Sequence, residues 1–241
     1  MYGAINWAFQ HAPNSLVYWQ HRLRRGHRIQ NWVNTAYYII HIPKTGGQSI
    51  AEAYGFLSPG HFVYSDLPSE VRERLRAKPH LAVIRCPLAR IRSTFRYAVM
   101  LRERFPTTSL AGLAQDRALS TFVKSLPSLK IESHYFLRPA VGFFRGAPLD
   151  RLHLIPFEHL QAGIDEFHDK LGIERIRLPH KNRTEDVIEL DVSLDEEAEA
   201  VLRQLYGADF DLYEAINDRP LSVAVDHLGD PAAGAWGRLR A

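Results

Sequence analysis

The stretch Ala36-Tyr37-Tyr38-Ile39-Ile40-His41-Ile42-Pro43-Lys44-Thr45-Gly46-Gly47-Gln48-Ser49 decides the architecture. Its start is mostly apolar, aromatic or β-branched, the pattern of a strand covered on both faces in a parallel sheet. Pro43 ends the strand, Gly46 and Gly47 supply a turn, and Ile50, Ala53 and Tyr54 then recur at helical spacing, which predicts a helix from Gln48 to Phe56. A loop between strand and helix gathers backbone N–H groups and the positive end of the helix dipole around one point, a natural seat for phosphate or sulfate. Lys44 adds a mobile cation, the two glycines let the backbone approach an anion closely, and Thr45 and Ser49 offer hydroxyl donors. In a nucleoside-triphosphate P-loop the Lys follows the last Gly, whereas Lys44 precedes both glycines, which argues against a kinase or NTPase.

Downstream the same alternation repeats. Asp66 can cap a helix running to Arg76, His80 to Ile84 reads as a short buried strand, and Pro87 suits the first turn of a long helix to about Arg104. Two weaker helical stretches, 109–125 and 128–137, precede a strand from Arg151 to Pro156 and a helix from about Glu158 that stops at Gly172. Asp195 to Tyr206 carries Ala198, Val201, Leu202 and Leu205 on one stripe, an amphipathic helix. Strands alternating with helices predict an α/β fold with a central parallel sheet.

The 241 residues, 46% hydrophobic, suffice for one domain with a full core, so residues 1–241 are expected to form a single unit. Residues 1–34, rich in aromatic and basic side chains, read as an N-terminal helical arm, and 219–241 as a loosely held tail. Thirty Lys and Arg against 27 Asp and Glu give a net charge of only +3, too mild to imply a nucleic-acid partner. Cys86 is the single cysteine, so neither an internal disulfide nor a cysteine-rich metal framework is possible. No stretch approaches the roughly 18 apolar residues of a bilayer span, and the N-terminus lacks the order of a signal peptide. The expectation is a cytoplasmic protein with no transmembrane segment and no metal-dependent chemistry.

Pro43 to Ser49 resembles the 5′-phosphosulfate loop of the carbohydrate sulfotransferases of the heparan and chondroitin sulfate O-sulfotransferase type, commonly Pro-Lys-Thr-Gly-Gly-Thr-Ser. Only Gln48 departs from it, an amide standing where the family has a hydroxyl. The family's second signature is an Arg at a strand end with a Ser eight positions later, which Arg85 and Ser93 match. Arg85-Cys86-Pro87-Leu88-Ala89-Arg90 is similar to its Arg-Asp/Asn-Pro-x-x-Arg run, with Cys86 in the acidic or amide position. Weaker likeness continues through Pro156 to Leu160, Pro179 to Thr184, and Leu205, Tyr206, Asp209 and Phe210. The resemblance implies a three-layer, P-loop-like sulfotransferase fold that binds 3′-phosphoadenosine 5′-phosphosulfate (PAPS). Residues 43–49 would hold the phosphosulfate, Arg85 and Ser93 the 3′-phosphate, and Arg183 would close over the nucleotide. The implied acceptor is a hydroxyl of a carbohydrate or glycoconjugate.

Sulfuryl transfer asks for alignment, a base, and positive charge at the departing phosphate, which Lys44 can supply. Gly60-His61-Phe62 resembles the Gly-His run that carries the base in the 2-O-sulfotransferases, making His61 the candidate, with His134 and Glu52 as rivals. Arg92 and Arg96 share a helix face that suits either an anionic acceptor or solvation with Glu103 and neighbouring acids. Two other classes compete. Gly47-Gln48-Ser49-Ile50-Ala51 approaches a nucleophile elbow, which would make Ser49 a hydrolase nucleophile, and the basic arm would suit a binding module for anionic polymers.

Overall fold

The computed structural model describes residues 29–56, 60–104, 109–114, 116–179, 190–217 and 223–224. Of the expected arm, residues 29–33 are helical and 1–28 lie outside the described set. Strand β1 is Tyr38–Ile39, followed by α1 (Gly47–Ala53), α2 (Ser69–Arg76), β2 (His80–Ile84) and α3 (Pro87–Arg104). Two short helices, α4 (Ser109–Gly112) and α5 (Leu119–Ser125), and several single 3-10 turns lead to β3 (Leu152–Pro156). The chain then forms α6 (Leu160–Leu171), α7 (Glu196–Asn217) and β4 (Val223–Ala224).

The fold is mixed α/β around a small sheet in the order β1-β2-β3-β4. The first three strands are parallel, with Ile39 beside Leu81 and Ala82 beside Leu154. β4 pairs antiparallel to β3, so the sheet is not purely parallel. Part of the expected loose tail is therefore bound: Val223 and Ala224 stand beside Leu154 and His153. Every residue of β2 is buried, as its unbroken apolar run requires of a central strand.

Other expectations shift. Of residues 36–42 only Tyr38 and Ile39 form the strand, at the end of the sheet among the described residues, and Ile40 N–H still donates to the Leu81 carbonyl at 2.9 Å before the chain turns into the loop. Asp66 ends a 3-10 turn, and α2 starts after Pro68 with no side-chain cap. Gly172 stops α6 as predicted, at φ 64°, where the left-handed conformation that glycine adopts without steric cost lets Ile173 N–H reach the His168 carbonyl at 3.0 Å. α7 runs eleven residues past Tyr206, through a non-helical Tyr206 at φ −119° and ψ 19°. Among the described residues no helix is long and apolar enough to cross a membrane.

Candidate functional site

In a parallel sheet the loops after the carboxyl ends of the strands converge, and the candidate site forms there. β1 leads into the 40–46 loop, β2 into Arg85, and β3 into Phe157. The loop is tightly wound. Lys44 has φ 68° and Gly46 φ 82°, both left-handed, which costs a lysine roughly 1–2 kcal/mol. Thr45 is buried, and its hydroxyl donates to the Ile42 carbonyl at 2.8 Å. That hydroxyl therefore holds the loop rather than serving as the anion donor the sequence suggested. Gly46 caps α1, accepting from Ser49 N–H at 2.9 Å, so the N–H groups of Gly47 and Gln48 open the helix. A side chain at Gly47 has no room, since a Cβ would lie 2.1 Å from His41 Cδ2.

Two cations meet this loop. Arg85 donates from Nη1 to the Lys44 carbonyl at 3.2 Å, and its guanidinium lies over the Phe157 ring at 4.4 Å. Lys44 Nζ sits 4.7 Å from the centre of the Tyr97 ring. Burial first, and the Arg85 charge second, lower the Lys44 ammonium to about 8. Ser93 is buried in the second turn of α3, one turn before Tyr97 and so on the face that meets Lys44. Pro43 is buried, Gln48 exposed and Ser49 half-buried. Arg183 lies outside the described residues.

His61 reaches the same region. Gly60, at φ 96°, makes the turn, and His61 Nδ1 lies 3.1 Å from the His41 carbonyl. A carbonyl can only accept, so the neutral ring carries its proton on Nδ1 and its lone pair on Nε2, the form a general base needs. The His61 ring lies 4.3 Å from that of His41 and 5.3 Å from that of Tyr135. Burial, then the His61 charge, hold His41 well below its ordinary value, so it stays neutral. His134 is half-buried beside Tyr135, with burial lowering its ring also. Glu52 is exposed on α1.

No family model matches the chain, and no curated protein or solved structure matches it significantly. Geometry alone therefore ranks the readings. The left-handed residues at the strand-to-helix turn are Lys44 and Gly46, whereas Ser49 lies within α1, away from the strained apex a nucleophile elbow requires. Among the described residues no group of three His, Cys, Asp or Glu side chains could hold a metal ion.

The second Arg of the Arg-Cys-Pro-Leu-Ala-Arg run has a different job. Arg90 is 1% exposed and pairs with buried Asp209 at 3.3 Å. Asp209 also accepts the N–H groups of Ala140 at 2.7 Å and Val141 at 3.0 Å. Glu103, one of the acids the solvated reading of the α3 arginines invoked, meets Arg117 at 2.8 Å. Sequence reasoning missed Tyr97, whose only signal was its i+4 spacing from Ser93, and Phe157, which lay unremarked inside the weakly similar Pro156 to Leu160 run.

Proposed function

We propose that this chain is a sulfotransferase of the P-loop-like, three-layer type, moving a sulfuryl group from PAPS to a hydroxyl of a carbohydrate or glycoconjugate. The convergence of Lys44 and Arg85 on one strand-to-helix loop is the observation that carries the reading. Two cations that repel each other at this loop are stabilised by a ligand that brings an anionic group to each. In this reading residues 43–49 cradle the phosphosulfate, and Arg85 with Ser93 receives the 3′-phosphate. His61 Nε2 takes the proton of the acceptor hydroxyl as its oxygen bonds to sulfur. The bond from sulfur to the bridging phosphate oxygen breaks, and Lys44 balances the charge left on adenosine 3′,5′-bisphosphate.

Calorimetric titration with adenosine 3′,5′-bisphosphate, with ATP as control, tests the donor site. Tight binding that ATP does not match, and that weakens at least tenfold in Arg85→Ala, is expected; no binding would return the chain to the polymer-binding reading. His61→Ala should keep the bisphosphate affinity while losing about 10²- to 10⁴-fold in turnover. Normal turnover in that variant would remove His61 as the base.

A further inference from the structure

Beside the donor loop lies a set of rings that the transfer chemistry does not itself require. Tyr135 and Phe136 stand 4.5 Å apart, Phe136 and Tyr97 5.0 Å, and Tyr97 carries the Lys44 ammonium at 4.7 Å. Tyr135 lies almost parallel to His61, at 12° and 5.3 Å. The His41 ring also lies against His61, at 4.3 Å and 50°. Tyr135 is 45% exposed, and among the described residues it is the large hydrophobic side chain left open to solvent.

An exposed tyrosine is ordinary by itself. This one stacks beside the candidate base and joins, ring by ring, to the cation at the donor loop. Such a shelf offers polarisable faces and few hydrogen-bond acceptors, and it selects a flat partner over a flexible one.

We infer that the acceptor lies with an apolar ring face on Tyr135, its hydroxyl turned to the edge of His61, so that Tyr135 selects hydroxylated rings over open-chain alcohols. The inference rests on the sulfotransferase reading for the identity of the ligand as acceptor. A pyranose and a phenol share this chemistry, and the experiment separates them.

The test is saturation-transfer NMR on the intact chain with methyl β-D-glucopyranoside, phenol and open-chain glucitol, each with and without adenosine 3′,5′-bisphosphate. At least one ring probe should be saturated by the wild type and by Tyr135→Phe, with glucitol far weaker. Tyr135→Ala should lose roughly five- to tenfold of that signal. Its calorimetric affinity for the bisphosphate should not change, because Tyr135 stands on the acceptor side. Undiminished saturation in Tyr135→Ala, equal saturation of glucitol, or no saturation of either ring probe would overturn the shelf. Failure of the bisphosphate to bind wild type would instead overturn the donor reading, and the two failures are read on different instruments.

Discussion

Lys44 combines a strained backbone with a depressed ammonium, and both follow from its place at the apex of the loop. An anion in the loop favours the charged form, so binding should be strongest below pH 8 and weaken as pH rises above it. From pH 7 to 9 the bisphosphate affinity should fall about tenfold, with proton uptake on binding reaching about half a proton at pH 8 and rising further above it. Lys44→Met should bind weakly with a flat profile over that range; a persisting slope would assign the titration to another group. His80 makes a separate, structural use of pH. It is fully buried against the rings of Tyr38 and Tyr64, and burial lowers it to about 4 from 6.5. The unfolded chain therefore takes up the proton first. The stability His80 permits is complete above pH 6.5 and is lost as pH falls toward 4, by about 3 kcal/mol in all. Urea unfolding at pH 7 and pH 5 should show a smaller acid loss in His80→Leu than in wild type.

At the scale of elements, packing decides against propensity in α1. Gly47→Ala would gain about 1 kcal/mol from helix propensity. Its Cβ, however, meets the buried His41 ring, whose own carbonyl holds His61. Overpacking of this kind costs about 1–3 kcal/mol, so the variant should be less stable and, on the proposed function, should lose turnover as the candidate base shifts. Gly207→Ala inside α7 meets nothing within 4 Å and should instead be neutral or up to about 1 kcal/mol more stable by thermal unfolding. These contrasts mark what the sequence could disclose. β2, the start of α3 at Pro87 and the stop at Gly172 were legible because each rests on local chemistry: an apolar run, a fixed φ, a left-handed glycine. The length of α7 was not, since the kink at Tyr206 rotates its apolar stripe and breaks the period on which the reading depended. Lys44, Gly46 and Arg85 come together as expected because each lies at a strand's carboxyl end. The aromatic shelf was invisible, as His61, Tyr97 and Tyr135 come from three distant segments with no shared spacing.

Across the whole molecule, α7 serves two buried clusters. Leu212 and Ile216 pack into the cluster around the sheet, while Ala198, Leu202 and Tyr206 pack with α3 and α5. The kink at Tyr206 lets one helix turn its stripe from one cluster to the other, and Asp209 lies just beyond it. There its carboxylate joins Arg90 of α3 to the main chain at Ala140 and Val141, while Tyr206 donates to the Leu137 carbonyl at 2.6 Å. Local sequence offered no sign of this pairing, because the partner of Arg90 lies 119 residues away. Burial pushes the Asp209 carboxyl up, and Arg90 with the two N–H donors opposes that push. Asp209→Asn keeps the shape but leaves the Arg90 guanidinium buried without its counter-charge, which should cost about 3 kcal/mol in urea unfolding. Adding Arg90→Met removes that stranded charge, so the double variant should recover part of the loss, with a coupling energy on the order of 2 kcal/mol. Additive losses would mean that the pair does not act as a unit. The folded fraction of each variant should keep wild-type bisphosphate affinity, because Arg85, five residues before Arg90, takes its position from the Lys44 carbonyl and Phe157 rather than from this network.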